Sequence, residues 1–318
     1  MNRFFTALLT VLVAAPLALA GCGPKYTYPS NTVTKSVEQI SRDEYEIHVI
    51  ARVVGKTLGA VFYLDDLVDT KGQVPREVHE KMSKVMQAVT RVALSTDLPI
   101  DFVTVLLRDK KEGNELIITR SLDDTKRANA DAIGIEESIN RTVFGQGRYQ
   151  PGTPVSQFVL KEIKLEQFLA DQIAQRIRFN VAKDVKDESS QFALVDGQFD
   201  TAHGRIYRFS VIGLKAEEPN QTVLNILQTV GDVFVGYQFK GYDGVEIQDY
   251  LNRQKLIVPA AVVEAYHEKK ISDSQILSKY LSQSQSIQEA FKLFGFNIPD
   301  QQQKDDAQAA APLKAATP

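Results

Sequence analysis

The stretch from Phe102 to Arg120 reads FVTVLLRDKKEGNELIITR. Its first part, Phe102–Leu107, is apolar on both faces apart from Thr104, which is typical of a buried inner strand. Residues 110–114 (KKEGN) form a polar turn that contains glycine, and Glu115–Arg120 return as a second strand. This stretch therefore predicts an antiparallel strand pair that includes one inner strand of a sheet.

A β-hairpin and a long helix precede this pair. Residues 45–53 alternate between apolar and polar, Gly55-Lys56 forms a turn, and residues 58–64 are a second strand. Pro75 fits a first helical turn. After it, apolar residues recur at spacings of three and four and predict an amphipathic helix of about 19 residues. The apolar stripe is too wide for a coiled coil, so we expect this helix to lie on a sheet. Residues 32–43 fit a shorter helix.

The same order of elements recurs in the second half of the chain. Arg205–Leu214 alternates as a strand, Pro219 opens an apolar helix, Phe234–Phe239 follows as a strand, and Val245–Tyr250 returns after a glycine-bearing turn. The match pairs Phe102 with Phe234, Gly113 with Gly244, Ile117 with Ile247, and Leu122 with Leu251. The predicted fold class is α+β, with two related ββαββ-like units, each an antiparallel sheet with a helix on one face, followed by C-terminal helices.

The remaining segments complete the predicted organisation. Residues 145–154 (GQGRYQPGTP) are rich in Gly and Pro and indicate a linker or loop, residues 155–163 fit a strand, and Ser272-Asp273-Ser274 fits a helix cap. The predicted domains are a signal peptide (1–21), a lipidated tether (22–43), a first α+β unit (44–144), a linker and helix (145–190), a second α+β unit with C-terminal helices (191–299), and a disordered tail (300–318).

Composition excludes several classes of protein. Of the 318 residues, 43% are hydrophobic and 24% are charged, which is the ordinary globular balance rather than that of a disordered chain. The net charge of −3 gives no strongly basic surface, so we expect no nucleic-acid partner. Cys22 is the one cysteine, so no disulfide forms within the chain.

The N-terminus has the pattern of a secretory signal peptide. Arg3 supplies a positive charge, residues 7–15 are an apolar run too short to span a bilayer, and small residues follow. Leu19-Ala20-Gly21-Cys22 then resembles the lipobox of bacterial lipoproteins at each of its four positions. The resemblance covers only residues 1–22, and no family is recognised for the folded body.

The resemblance implies that the chain is cut before Cys22 and that diacylglycerol is attached to the Cys22 thiol. Each buried CH₂ group adds about 0.8 kcal/mol to membrane binding, so the membrane is the first expected partner. Gly23, rather than Asp, follows the cysteine. In lipoproteins of two-membrane bacteria this favours the outer membrane, facing the periplasm.

Few residues suggest chemistry. Gly55-Lys56-Thr57 resembles the end of a phosphate-binding loop, but Ile50 stands where the full pattern needs glycine, and a hairpin turn is the better interpretation. His48, His79, His203 and His267 are not close in sequence at metal-ligand spacing. We therefore predict no metal, no other cofactor and no catalytic residue.

Two acidic pairs and one tyrosine cluster have both a structural and a functional interpretation. Asp65-Asp66 and Asp123-Asp124 are candidate hydrolase carboxylates, but adjacent strand residues point to opposite faces, and Asp123-Asp124 fits a helix N-terminus. Tyr237, Tyr242 and Tyr250 surround one predicted hairpin, either as a contact patch or as packing in the core and its rim. The structural interpretation is favoured for each.

The predicted function is that of a membrane-anchored envelope lipoprotein that acts as a non-catalytic structural or protein-interaction module, with an envelope protein as its partner. Two alternatives stay open. One is a periplasmic enzyme that acts on envelope polymers through residues distant in sequence. The other is a carrier of lipid or another apolar ligand.

Overall fold

Two five-stranded sheets organise the chain, each in its own compact unit, with the boundary between Ile163 and Lys164. A computed structural model describes residues 26–68, 73–154, 157–183, 193–213 and 219–283. The predicted α+β class with two related units of sheet plus helix is confirmed. Cys22, the predicted tail and the part of the predicted C-terminal helices after residue 283 lie outside the described residues.

The strands of the first unit lie side by side in chain order. Its longest helix has 19 residues and begins directly after Pro75, as predicted. The elements are α1 (Val33–Tyr45), β1 (Ile50–Val54), β2 (Thr57–Leu64), α2 (Arg76–Leu94), β3 (Phe102–Asp109), β4 (Asn114–Ser121), α3 (Leu122–Asn129), α4 (Ile135–Asn140) and β5 (Val143–Arg148).

The sheet is mixed rather than wholly antiparallel as expected. β2 pairs with β3 in parallel, from Thr57 opposite Phe102 to Leu64 opposite Asp109, and the other three pairs are antiparallel. The parallel pair arises because α2 carries the chain back before β3 starts, and parallel neighbours need such a crossover.

The helices and an extended segment cover opposite faces of this sheet. Residues of α1 and α2 such as Val37, Val85 and Val89 form one core cluster with Val103 of β3. On the other face, called the outer face below, a smaller cluster joins Phe158 and Leu160 to Val61 and Leu106. Residues 157–163 cross this face outside any strand, which corrects the strand predicted for 155–163.

The N-terminal part of the first unit differs from the prediction. The strand expected over residues 45–53 begins at Ile50, because Tyr45 still belongs to α1 and Glu46 adopts a left-handed conformation with φ 58°. The structure places α1 within the core of the unit, through buried residues that include Val33. Before α1, the N–H of Tyr28 donates to the carbonyl of Ser95 at 3.1 Å.

The stretch predicted as a linker or loop, residues 145–154, contributes its first four residues to β5. Gly145 lies opposite Ile117 and Gly147 opposite Glu115 in the antiparallel pair with β4. Glycine is unfavourable in an isolated strand, and here the ladder with β4 holds the extended conformation.

The second unit repeats the order of the first. A helix, a hairpin, a crossover helix, a second hairpin, two short helices and a last strand follow one another, and the one parallel pair again includes the central strand of the sheet. The elements are α5 (Leu165–Lys183), β6 (Ala193–Asp200), β7 (Ile206–Gly213), α6 (Pro219–Gly236), β8 (Gly244–Asp249), β9 (Gln254–Pro259), α7 (Ala260–His267), α8 (Asp273–Tyr280) and β10 (Leu281–Gln283). Ser272 caps α8 in a capping box, as predicted.

The repeat is present, but the residue pairs predicted for it are wrong. Phe234 lies in α6 and not in a strand, because Val230, Val233 and Phe234 are buried at helical spacing and continue the helix. The strand expected over Phe234–Phe239 is therefore absent from the described structure. Val245–Tyr250, expected as the return strand, instead supplies β8, the counterpart of β3.

Two buried aspartates give the correct register. Asp109 and Asp249 end β3 and β8, and each accepts the N–H group of the residue three positions later, at 3.0 and 3.1 Å. Gly113 and Arg253, four residues after these aspartates, both have positive φ, 71° and 53°. The second hairpins of the two units therefore correspond at an offset of 140, that is 249 minus 109.

A second feature recurs at the first strand of each sheet. The outward N–H of Ala51 in β1 donates to Glu38 Oε1 of α1 at 3.0 Å, and the N–H of Phe199 in β6 donates to Gln167 Oε1 of α5 at 3.4 Å. Ala51 pairs with Ala60, which pairs with Val105, and Phe199 pairs with Tyr207, which pairs with Val245. Because Val105 and Val245 correspond at the offset of 140, Ala51 and Phe199 are equivalent in the repeat. We call these two bonds the edge clamps. No helix among the described residues is long and apolar enough to cross a membrane.

The edge clamp of the first unit is testable by substitution. Glu38→Ala should lower the free energy of unfolding by about 1 kcal/mol, because the N–H of Ala51 loses its acceptor. Glu38→Gln should have little effect, since the equivalent residue of the second unit, Gln167, accepts its hydrogen bond through the same side-chain oxygen, Oε1. Chemical denaturation and hydrogen exchange at Ala51 measure the two outcomes. Equal losses in both variants would contradict a role for the acceptor oxygen.

Candidate functional site

The four histidines do not come together. His48, His79 and His203 are exposed at separate places, and His267 Nε2 lies 3.0 Å from Asp232 Oδ1 between α7 and α6. Within the part of the chain that the structure describes, no group of three His, Cys, Asp or Glu side chains is arranged to hold a metal ion.

Gly55-Lys56-Thr57 forms the turn between β1 and β2, as the preferred interpretation predicted. Gly55 has φ 54°, and a Cβ added there would collide with the carboxylate of Glu162. That carboxylate accepts the N–H of Lys56 at 3.2 Å, while Thr57 Oγ1 accepts the N–H of Ile163 at 2.9 Å. The backbone donor that a phosphate would need is thus already bonded to an anion of the same unit.

The first acidic pair makes exposed ion pairs. Lys110 Nζ lies 2.9 Å from Asp65 Oδ1, and Lys111 Nζ lies 2.7 Å from Asp66 Oδ1. The hydrogen bond from Lys110 holds the pKa of Asp65 below its usual value. Both pairs bind the end of β2 to the turn after β3, which is a structural role.

The second acidic pair begins α3, where the Ser121 hydroxyl accepts the N–H of Asp124 at 3.4 Å. Asp124 is 5% exposed, and its Oδ1 accepts a hydrogen bond of 2.8 Å from Arg141. Arg141 also donates to Glu137 at 2.7 Å. A buried ion pair of this kind ties α3 to α4, and removing one partner costs about 3–5 kcal/mol in typical proteins.

The tyrosine cluster belongs to the core. Tyr242 and Tyr250 are 4% and 5% exposed, and the Tyr237 hydroxyl accepts a 2.9 Å hydrogen bond from Gln172. The Tyr242 ring lies 4.4 Å from that of Phe234. The interpretation as packing is confirmed for Tyr242 and Tyr250.

A guanidinium on the outer face of the first sheet was not predicted as important. Arg108 lies over the rings of Tyr149 at 4.8 Å and Phe158 at 5.4 Å, and it forms an ion pair with Glu115. The Tyr149 hydroxyl donates to the carbonyl of Asp109 at 2.6 Å. The contact with Phe158 holds the crossing segment on the sheet, and the contacts with Tyr149 hold the residue that follows β5. The one available signal was a lone arginine that directly follows an apolar strand.

The equivalent outer face of the second sheet is charged. The Val61–Leu106 neighbours of the first unit correspond to Arg208–Glu246 in the second. Arg208 Nε lies 3.4 Å from Glu246 Oε1, and Lys255 Nζ lies 3.0 Å from the same oxygen. The repeat thus keeps the helix-covered face apolar and changes the chemistry of the other face.

Each unit has at least one cleft on its described surface. A cleft of about 470 Å³ in the first unit is lined by residues 46–50 and 61–64 with Lys81 and Lys110, and we call it the strand cleft. A wider cleft of about 620 Å³ in the second unit is lined mainly by polar residues from Tyr266 to Ser274. Within the second cleft the Tyr266 hydroxyl already donates to Asp273 at 2.9 Å. The strand cleft is mainly apolar, and it lies between residues 46–50 and the end of β2, with two lysines in its lining.

Comparison with known families and with curated proteins finds no match. Among solved structures, the crystal structure of the sex pheromone staph-cAM373 precursor is similar over 74% of this chain and 79% of that one. The sequence identity is 12% and the TM-score is 0.21. A likeness this weak carries no argument about the fold or the function.

One half-buried carboxyl in the second unit has a strongly altered pKa. Burial raises the pKa of Asp171 on α5 to about 6, against a hydrogen bond of 2.8 Å from Gln167. Gln167 also donates to the carbonyl of Gly197 at 3.1 Å, so Asp171 adjoins the edge clamp of this unit. Proton release from Asp171 therefore places a charge where α5 packs on β6.

The pH dependence follows from the raised pKa of Asp171. The folded state binds the proton more tightly than the unfolded state, so the free energy of unfolding should fall as pH rises from about 4 to about 6. Asp171→Asn should remove this loss and stabilise the protein at pH 7.5 by about 1–2 kcal/mol. Denaturant titrations across this range measure the effect.

Asp200→Asn is the control, and its effect on stability at neutral pH should have the opposite sign. The N–H of Ala202 and the charge of Arg208 lower the pKa of Asp200, so this substitution should reduce stability at neutral pH. If Asp171→Asn gives no more stability at pH 7.5 than at pH 4.5, the raised pKa is contradicted.

Proposed function

We propose that the chain is an envelope lipoprotein, anchored to a membrane through lipid on Cys22, whose two units serve as a non-catalytic module that holds another envelope protein. The observation that carries the proposal is Leu19-Ala20-Gly21-Cys22 at the end of a signal-like segment. Cys22 is the one cysteine of the chain, so no disulfide competes for its thiol. Because Gly23 follows it, we place the protein on the periplasmic side of the outer membrane in a two-membrane source.

The geometry of the described residues supports a binding role. The acidic pairs at Asp65 and Asp124 are bonded to Lys110 and Arg141 and contribute to structure. The feature best suited to recognition is the strand cleft, since it combines apolar side chains with the lysines at positions 81 and 110. Both edge clamps leave the first strand of each sheet unsuited to accepting a partner strand along its outward edge.

The anchor is tested by metabolic labelling with an alkyne palmitate analogue in a bacterial host that expresses the full chain. We expect label in the membrane fraction of the unaltered protein, complete loss of label in Cys22→Ser, and retention in the control Ser30→Ala. Intact mass measurement should place the new N-terminus at Cys22. An unlabelled protein, or a start point elsewhere, would remove the anchor and the placement together.

The binding role is tested by cross-linking in membranes followed by recovery of the lipidated protein. We expect at least one envelope protein to be recovered reproducibly with the unaltered chain and to be much reduced in Cys22→Ser, which is no longer held at the membrane. Absence of any reproducible partner would count against the module hypothesis.

A further inference from the structure

The walls of the strand cleft are two strands that stop pairing. The ladder between β1 and β2 ends at Ile50 opposite Val61, although β2 continues to Leu64. In the second unit the equivalent pair is Gln198 opposite Arg208, and there the ladder runs on through Asp196 opposite Ser210 to Ala193 opposite Gly213. The first sheet therefore lacks backbone pairs, here called the missing rungs, that are present at the equivalent positions of the second sheet.

The end of α1 explains why the ladder does not close. Glu46 has a left-handed conformation, and the N–H of Ile47 donates back to the carbonyl of Ser41 at 2.9 Å. The side chains of Ile47 and Val49 are buried in the core cluster beneath α1 and α2. Residues 46–49 thus lie outside any strand, and their contacts with the preceding helix and the core hold them away from β2.

Backbone groups on both walls point into the cleft. The carbonyl of Leu64 accepts the N–H of Lys110 on the β3 side, so alternation directs the N–H and C=O of Tyr63 to the opposite side, toward the cleft. The N–H of Ala51 points outward to Glu38, so by the same alternation the backbone groups of His48 face β2. No backbone hydrogen bond joins residues 46–49 to residues 62–64, both of which are described.

We propose that the strand cleft binds an extended peptide segment of the partner protein, which supplies the missing rungs and carries an acidic residue close to Lys81 and Lys110. This rests on the proposed function, since it names the class of partner that the module holds. Peptide backbone offers donors and acceptors at strand spacing, which Tyr63 and His48 require, whereas an acyl chain would fill the volume and leave those groups unbonded. Lys81 and Lys110 each bind one carboxylate, Glu77 at 2.6 Å and Asp65 at 2.9 Å, and each ammonium group keeps further N–H donors that an acidic residue of the peptide can accept.

The test uses hydrogen–deuterium exchange on the full chain in detergent, with a pool of hexapeptides in which Val and Thr alternate and Asp occupies each position in turn. We expect at least one peptide to slow exchange about tenfold or more in fragments covering residues 46–49 and 62–65. The equivalent fragments 194–197 and 209–212 should not change, because their ladder is already closed. A copy of the bound peptide with methyl groups on alternate amide nitrogens should bind at least about tenfold more weakly through loss of two hydrogen bonds.

Charge is tested by Lys81→Gln and Lys110→Gln, each of which should weaken binding of the Asp-containing peptide about two- to fivefold. Lys84→Gln is the matched control, since Lys84 is exposed on the same helix and does not line the cleft. The proposal is overturned if no peptide protects residues 62–65 up to about 1 mM, the weak end of specific affinity. It is also overturned if the methylated copy binds equally well.

These outcomes are separate from those of the anchor. Exchange in detergent does not depend on lipid at Cys22, so protection by peptide without labelling would remove the anchor and keep the peptide site. Labelling without protection would keep the anchored module and remove the peptide site.

Discussion

A backbone N–H on the outward edge of a first strand has to find an acceptor, and both units meet this requirement with the helix that precedes the sheet. Glu38 and Gln167 occupy equivalent places and present the same oxygen to Ala51 and Phe199. The helix that precedes each sheet, α1 or α5, is therefore part of the repeated unit. In the second unit it approaches so closely that a Cβ at Gly197 would lie 2.5 Å from the carbonyl oxygen of Ala170. Helix and edge strand are thus in direct contact in this unit.

Local patterns in the sequence were sufficient for the elements with strong periodicity. The helix after Pro75 and the strand pair beginning at Phe102 follow from spacing alone, because each has one favourable way to bury its apolar side chains. The register of the repeat was missed because Phe234 continues an apolar helix through a stretch that is also rich in strand formers. An Asp that ends a strand and binds the following turn, as Asp109 and Asp249 do, was the better marker. The strand cleft depends on pairing that does not occur, which no local pattern reports.

The two units keep the same apolar character on the helix-covered face of the sheet and differ on the outer face. On the helix-covered face, Val105 and Val245 are equivalent and both are fully buried. On the outer face, Leu106 packs under the crossing segment, whereas its equivalent Glu246 lies between Arg208 and Lys255. The first unit covers this face with its own chain and opens its strand ladder, while the second unit closes its ladder and keeps a charged face. The two units thus share equivalent buried residues and differ in the chemistry of their surfaces.

The bond from Tyr28 to Ser95 bears on how far the protein reaches from a bilayer. Six peptide steps separate Cys22 from Tyr28, and at about 3.5 Å each they extend to roughly 20 Å. If Cys22 carries lipid, this short connection keeps the first unit within a few nanometres of the headgroups. A ligand for it would then be sought among molecules that lie against the membrane surface, not among those that diffuse deep in the compartment.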